Sequence, residues 1–218
     1  MFRAISVIGR GRVGAAIAAR LDERGLLVES AADLVVLCVP DGAIAPVAAS
    51  IAPGPWIAHV SGATPLSALA PHATRFGVHP LQTFTRSRGA EQLDGAWGAV
   101  TAETSDARAR GDWLAATLGL RACPIDERAR VLYHAGASMA SNYLVTIYRA
   151  AARAFEAAGA PPEALVPLMT RTIENGFELT GPISRGDWAT VRAHEAALHA
   201  ALPDVERLYR VLGEATSR

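Results

Sequence analysis

The chain has 218 residues, with 21 basic and 21 acidic side chains and no net formal charge; this balance argues against a nucleic-acid partner, which favours a basic excess. Half of the residues are hydrophobic, enough for a sizeable core, and no apolar run approaches the ~18 residues that read as a membrane-spanning helix. All 21 basic residues are arginine, which excludes a Schiff-base lysine and any lysine acid or base.

The chain opens with a β-branched strand, Ala4–Ile8, that runs into Gly9-Arg10-Gly11-Arg12-Val13-Gly14 and then into an Ala-rich helical segment. A strand, G-x-G-x-x-G and a helix in that order predict a dinucleotide-binding turn, the other reading being a plain βα turn that uses three glycines. The first glycine makes the turn, the second lets the backbone approach a pyrophosphate, and the third lets helix and strand pack closely. The helix start then offers N–H groups and a positive dipole end to phosphate. The same start breaks at Gly9 and Arg10, unlike the continuous apolar stretch of a signal peptide, so a cytoplasmic protein is expected.

Short apolar runs at Leu26–Glu29, Leu34–Val39, Trp56–Val60, Phe76–Val78, Trp97–Thr101 and Leu120–Cys123 alternate with helical patterns. Such alternation predicts a parallel sheet covered by helices. Three of these strands end in turn residues, at Val39-Pro40-Asp41, Val60-Ser61-Gly62 and Val78-His79-Pro80. In open α/β sheets ligands bind at such carboxyl ends. One unit is short: Ser30–Asp33 is too brief for a crossover helix, which needs a dozen or so residues. Glu29 falls ~20 residues after the first glycine, where an acid binds the ribose of NAD. Arg10 and Arg12 would instead serve the 2′-phosphate of NADP. The cofactor is therefore expected to be NADP or NAD, with a lean to NADP.

After Pro124 the pattern is helical throughout. Asp126–Ala158 reads as one long helix with Gly159 as its cap, another helix follows Pro162, and two more start near Trp188 and Pro203. The predicted architecture is an N-terminal Rossmann-like α/β domain over residues 1–124, with a shortened second βα unit, and an all-α domain over 125–218. Cys38 lies in an apolar run and Cys123 in a strand, and neither has metal-ligand spacing, so no metal is expected.

His134, Ser138 and Asn142 recur every fourth residue on the long helix, so they share one face. One reading makes them a substrate-facing row, with His134 as proton donor and Asn142 as orienter; the other makes them a helix–helix contact built on small residues. Ser61 and Gly62 are placed to hydrogen-bond substrate, or their stretch serves as a helix N-cap on Pro65–Ala70, for which Thr64 before Pro65 is suited. His79 is either a second acid–base group or a brace for its loop. Arg185, in the Leu179–Asp187 loop, suits a carboxylate, or it pairs with Asp187 as that residue caps the next helix.

In these stretches, from Gly9–Gly14 through Ala32–Asp41, His59–Gly62, His79–Phe84, Tyr133–Asn142 and Leu179–Asp187, the chain resembles a known group. It is similar to the Rossmann-like oxidoreductases of the 6-phosphogluconate dehydrogenase-like superfamily that carry an uncharacterised helical C-terminal domain. The resemblance implies an NAD(P)H-dependent reductase and favours the substrate-facing readings of His134, Asn142 and Arg185. Some similar proteins are ketopantoate reductases, but the better-known type relies on a lysine, which this chain lacks. The expected activity is reduction of a small 2-oxo acid, such as ketopantoate. The alternative is a dinucleotide-binding sensor or partner protein without catalysis. A long Ala-rich helix with a small-residue face also suggests a homodimer.

Overall fold

In the computed structural model, which describes residues 1–217, six strands lie side by side in chain order. They are β1 (Ile5–Ile8), β2 (Leu34–Leu37), β3 (Trp56–His59), β4 (Arg75–Leu81), β5 (Trp97–Thr101) and β6 (Arg121–Pro124). Every neighbouring pair is parallel except β4 and β5, which run antiparallel. Between Leu81 and Trp97 the chain forms only a 3-10 turn, Ala90–Leu93; the connection from β3 to β4 likewise holds only a 3-10 turn, Leu66–Leu69, yet joins parallel strands.

Alternate side chains of β2 enter two separate cores. Leu34 and Val36 join Ile5, Ile17, Leu21, Phe76 and Leu114 on one face. Val35 and Leu37 join Ile44, Ala48, Ile57, Leu66 and Leu69 on the other. This alternation is the period of two that a strand imposes when both faces are covered. Helices α1 (Arg12–Glu23) and α3 (Ser105–Thr117) cover the first face, and α2 (Asp41–Ser50) covers the second.

The strand expected at Leu26–Glu29 contracts to one bridge, in which Leu27 lies parallel to Ile5. Ser30–Asp33 turns straight back, with Ala31 at φ 56. The Asp33 carboxylate accepts the N–H groups of Arg3 and Ala4 at 2.8 and 3.1 Å, which ties the turn to the entry of β1. No residues remain for a crossover helix at this edge.

The chain divides into two compact units, Met1–Met139 and a second from Ala140 onward. The first unit thus takes in α4 (Arg130–Ser138) as well as the sheet. The long helix expected from Asp126 is helical from Glu127 to Ala157, but not uniformly so. A 3-10 turn, Glu127–Ala129, precedes α4, and a π-helical segment, Met139–Tyr143, separates α4 from α5 (Leu144–Ala157). The unit boundary falls inside that π segment.

The second unit holds α5, α6 (Leu165–Glu174), α7 (Trp188–Ala201) and α8 (Pro203–Thr216). Gly159 follows α5 at φ 73, the left-handed cap conformation. Asp187 caps α7 by accepting the Thr190 N–H at 3.1 Å, and Arg153 on α5 forks onto Asp204 at the start of α8. Helices α5, α7 and α8 line an apolar cleft of about 620 Å³. No helix among the described residues is long and apolar enough to cross a membrane.

Candidate functional site

The glycine turn has the geometry its sequence requires. Gly9 stands at φ +99, and a side chain there would collide with the Cys38 carbonyl. A Cβ on Gly14 would lie 1.9 Å from the Gly9 carbonyl oxygen, so only glycine lets α1 seat against β1. At Gly11 nothing lies within 4 Å of a built Cβ, and α1 starts there without a side-chain cap. The first turn of a helix leaves N–H groups without intrahelical partners. An open glycine beneath such a helix start fits the close approach of a pyrophosphate.

Arg10 and Arg12 are exposed at this turn, and Val13 packs partly against the core. Arg10 lies 3.7 Å from the Glu29 carboxylate, with Glu29 almost fully exposed. Glu29 and Arg10 of the glycine turn therefore stand together. Val39, Pro40 and Asp41 follow β2 and lead into α2. Burial pushes the Cys38 thiol up to about 12, so it stays a thiol beside the turn.

A second constellation forms where β3 and β4 meet α4. His79, on β4, and His134, on α4, face each other edge to face with ring centroids 5.7 Å apart. Gly62 lies between them. A Cβ there would come within 2.4 Å of His134 Cδ2 and 3.0 Å of His79 Nε2. The Nδ1 of His79 is 2.9 Å from the Tyr133 hydroxyl. Burial, then the charges of His134 and Arg130, hold the His79 pKa down to about 4, with Asp41 opposing them. His79 is therefore a neutral imidazole at pH 7. Burial raises the Tyr133 phenol to about 12, so it keeps its proton.

Beneath this pair lies Arg130, a buried side chain that the sequence did not single out. Its Nη2 donates to the Ser61 carbonyl at 2.5 Å and its Nη1 to the Thr101 hydroxyl at 2.9 Å. Its Nε is 3.8 Å from Glu127 Oε2, while Glu127 Oε1 accepts the Leu66 N–H at 2.8 Å. Glu127 thereby satisfies the start of the 3-10 turn Leu66–Leu69, for which Thr64 had been the expected cap. Arg130 thus joins the exit of β3, the end of β5 and α4. Next to it is His59, fully buried at the end of β3, with neither ring nitrogen hydrogen-bonded among the described residues. Burial first, then the Arg130 charge, lower its pKa to about 3.

The Ser61 hydroxyl is engaged locally. It donates to Thr64 Oγ1 at 3.0 Å and accepts the Ala63 and Thr64 N–H groups. Ser138 is half-buried at the end of α4, whereas Asn142 is exposed within the π segment and belongs to the second unit. Arg185, also in the second unit, is exposed and donates to the Thr180 carbonyl of its own loop. Within the first unit, then, His79, His134 and Gly62 come together, and Tyr133, Arg130, Thr101 and His59 join them. Tyr133 sits beside His134 in sequence, whereas nothing in the local pattern separates Arg130 from Arg128 two residues before it. Among the described residues no group of His, Cys, Asp and Glu has the arrangement of a metal site.

Several solved structures share this fold. A candidate NADP oxidoreductase from Bacteroides fragilis is 22% identical, with a TM-score of 0.82 over 99% of this chain and 98% of that one. A protein from Thermotoga maritima is 19% identical, with a TM-score of 0.73 over 99% of this chain and all of that one. A reductive aminase from Aspergillus terreus, in complex with NADPH and ethyl levulinate, is 16% identical, with a TM-score of 0.69 over 99% of this chain and 93% of that one. At these identities the likeness is one of fold. No curated protein matches the chain in sequence. The family model described as "Domain of unknown function (DUF2520)" matches residues 96–216, more than half of the chain, and the protein therefore belongs to the DUF2520 family.

Proposed function

We propose that this protein is an NAD(P)H-dependent reductase of a small 2-oxo acid. The observation that carries the reading is the meeting of two features in one unit. The glycine turn after β1 and the His79–His134 pair over Gly62 both lie at strand ends of one sheet, and Asp41 is close enough to act on His79 electrostatically. Open α/β sheets bind ligands at such ends. Gly9, Arg10, Gly11, Arg12, Val13 and Gly14 would hold the pyrophosphate side of the dinucleotide, with Val39, Pro40 and Asp41 alongside. Arg10 and Arg12 favour NADP through its 2′-phosphate. When bound, the reduced nicotinamide supplies hydride to the substrate carbonyl carbon. His134 gives its proton to the carbonyl oxygen as it becomes an alkoxide, which yields the hydroxy acid. No lysine is present to do this.

Of the remaining expected ligands, Ser61, Gly62 and Ser138 are assigned to substrate orientation, while Asn142 and Arg185 belong to the second unit. The superfamily resemblance makes ketopantoate the first 2-oxo acid to test. Exposed apolar side chains on α5 and α6, among them Val145, Ile147, Val166 and Leu168, support a homodimer, which light scattering tests.

Calorimetric titration with NADPH and NADH, followed by assay over a 2-oxo acid panel, tests the reading. Saturable binding with turnover is expected; failure of both nucleotides to bind overturns it. The short Ser30–Asp33 connection favours one alternative, a dinucleotide-binding sensor without catalysis. Binding without turnover across the panel, with His134→Ala unchanged in affinity, would select that alternative.

A further inference from the structure

The Tyr133–His79 pair has no role in the scheme above, yet its geometry is specific. The phenol hydroxyl lies 2.9 Å from Nδ1 of His79. The opposite edge of the ring, Cε1 and Nε2, faces Gly62, each 3.0 Å from where a Cβ would stand, with His134 Cδ2 2.4 Å from the same point. One nitrogen is thus occupied by tyrosine, and the other lies on the edge of the ring that faces Gly62 beside His134.

A neutral imidazole has one N–H and one lone pair, and the partner of one nitrogen decides the state of the other. If Nδ1 carried the proton, the tyrosine oxygen would accept it and the phenol's own proton would need an acceptor. Among the described residues the hydrogen bond to His79 is the one this hydroxyl makes. A half-buried donor without a partner is costly, whereas an oxygen with a spare lone pair is cheap. The arrangement that leaves no donor unused has tyrosine donating to Nδ1. The proton of His79 then sits on Nε2.

Building on the reductase reading, we infer that Tyr133 is a positioning residue that fixes His79 as its Nε2–H tautomer, and that this N–H donates a hydrogen bond to the substrate's carbonyl oxygen over Gly62. No proton leaves His79 in this role. The hydrogen bond polarises the carbonyl and holds the oxygen while His134 protonates it. The neighbouring charges agree with a neutral donor: Arg130 and His134 both disfavour a second proton on this ring, and Asp41 does not overcome them. A neutral histidine serving as an electrophile is an established catalytic device. The two histidines then divide the work, one as fixed donor and one as proton source.

Long-range proton–nitrogen spectra of the protein labelled with ¹⁵N-histidine test the inference at pH 7.5. In the wild type, His79 should carry its proton on Nε2 and show Nδ1 as a hydrogen-bonded acceptor. Oxamate, an unreactive analogue of a 2-oxo acid, added to the protein with NADPH, should shift the Nε2–H resonance. Tyr133→Phe keeps the ring and its packing; it should give a mixture of tautomers and lower kcat about tenfold, with the melting temperature nearly unchanged. A proton on Nδ1 in the wild type, or an unchanged tautomer in Tyr133→Phe, overturns the positioning role. A silent Nε2–H resonance in the oxamate titration overturns the donor role. The reductase reading fails separately: the spectra would behave as expected while no 2-oxo acid is turned over.

Discussion

His79 and His134 approach each other across Gly62, with ring planes at 78° and centroids 5.7 Å apart. The glycine is what permits this, because a methyl group at position 62 would stand 2.4 Å from His134 Cδ2. Gly62 is not in the left-handed region, so alanine costs nothing in backbone conformation there. The clash falls on side-chain atoms of the two histidines. Gly62→Ala is therefore expected to displace the pair while the sheet still forms. Turnover should fall by at least tenfold, with a loss of stability of about 1–3 kcal/mol from overpacking. Steady-state kinetics together with urea denaturation check this, and unchanged kcat/KM would remove the His79–His134 gap from the reaction.

The glycine turn offers a sharper pair of variants. A Cβ at Gly11 meets nothing, whereas one at Gly14 meets the Gly9 carbonyl at 1.9 Å. Gly11→Ala should fold like the wild type and lose dinucleotide affinity, because the methyl group fills the space the pyrophosphate needs. Gly14→Ala should destabilise the whole first unit, since α1 can no longer seat on β1. Thermal melting and calorimetry on both variants separate the two effects. Equal NADPH affinity in Gly11→Ala and wild type would mean that this turn does not hold the cofactor.

These glycines were legible in the sequence because a tight turn and a close helix approach leave one residue type standing. The missing crossover at Ser30–Asp33 was legible for a similar reason: chain length is a hard limit. The antiparallel β5 was harder to read. The runs Phe76–Val78 and Trp97–Thr101 look like parallel strands, and a connection without a helix does not decide the direction, since β3 and β4 run parallel across one and β4 and β5 antiparallel across another. The site was half legible. Spacing pointed to His134 on its helix, but its meeting with His79 depends on how α4 packs against β4. Arg130 and His59 were not legible, because burial of a polar side chain is a tertiary fact that local pattern does not carry. The π segment at Met139–Tyr143 has no evident mark among its residues, Met-Ala-Ser-Asn-Tyr.

Arg130 holds the floor of the site through the Ser61 carbonyl and the Thr101 hydroxyl. Removing a buried charge that satisfies other buried groups costs more than the hydrogen bonds are worth, because the partners remain unpaired. Arg130→Met should lower stability by about 3 kcal/mol. Arg130→Lys should recover only part of this, because an ammonium cannot reproduce the guanidinium fork. Urea midpoints of the three proteins provide the measurement. A methionine variant as stable as the wild type would show that the network contributes nothing net to stability.

Buried His59 and half-buried His79 predict how stability depends on pH. In the folded protein burial holds His59 down to about 3 and His79 down to about 4, whereas an unfolded histidine titrates near ~6.5. Between these values the unfolded chain binds protons that the folded chain refuses. Stability is therefore complete above about pH 6.5 and falls as the pH drops through that value. Each histidine contributes a slope of at most ~1.4 kcal/mol per pH unit. The window from pH 6.5 to 5 is the cleanest, since carboxylates add little there. His59→Leu removes one of the two groups, so the slope in this window should drop by about half, and the variant should gain on the wild type as the pH falls. Urea denaturation at pH 7, 6 and 5 reads the difference directly. Parallel stability curves for the two proteins would mean that His59 does not resist protonation in the fold.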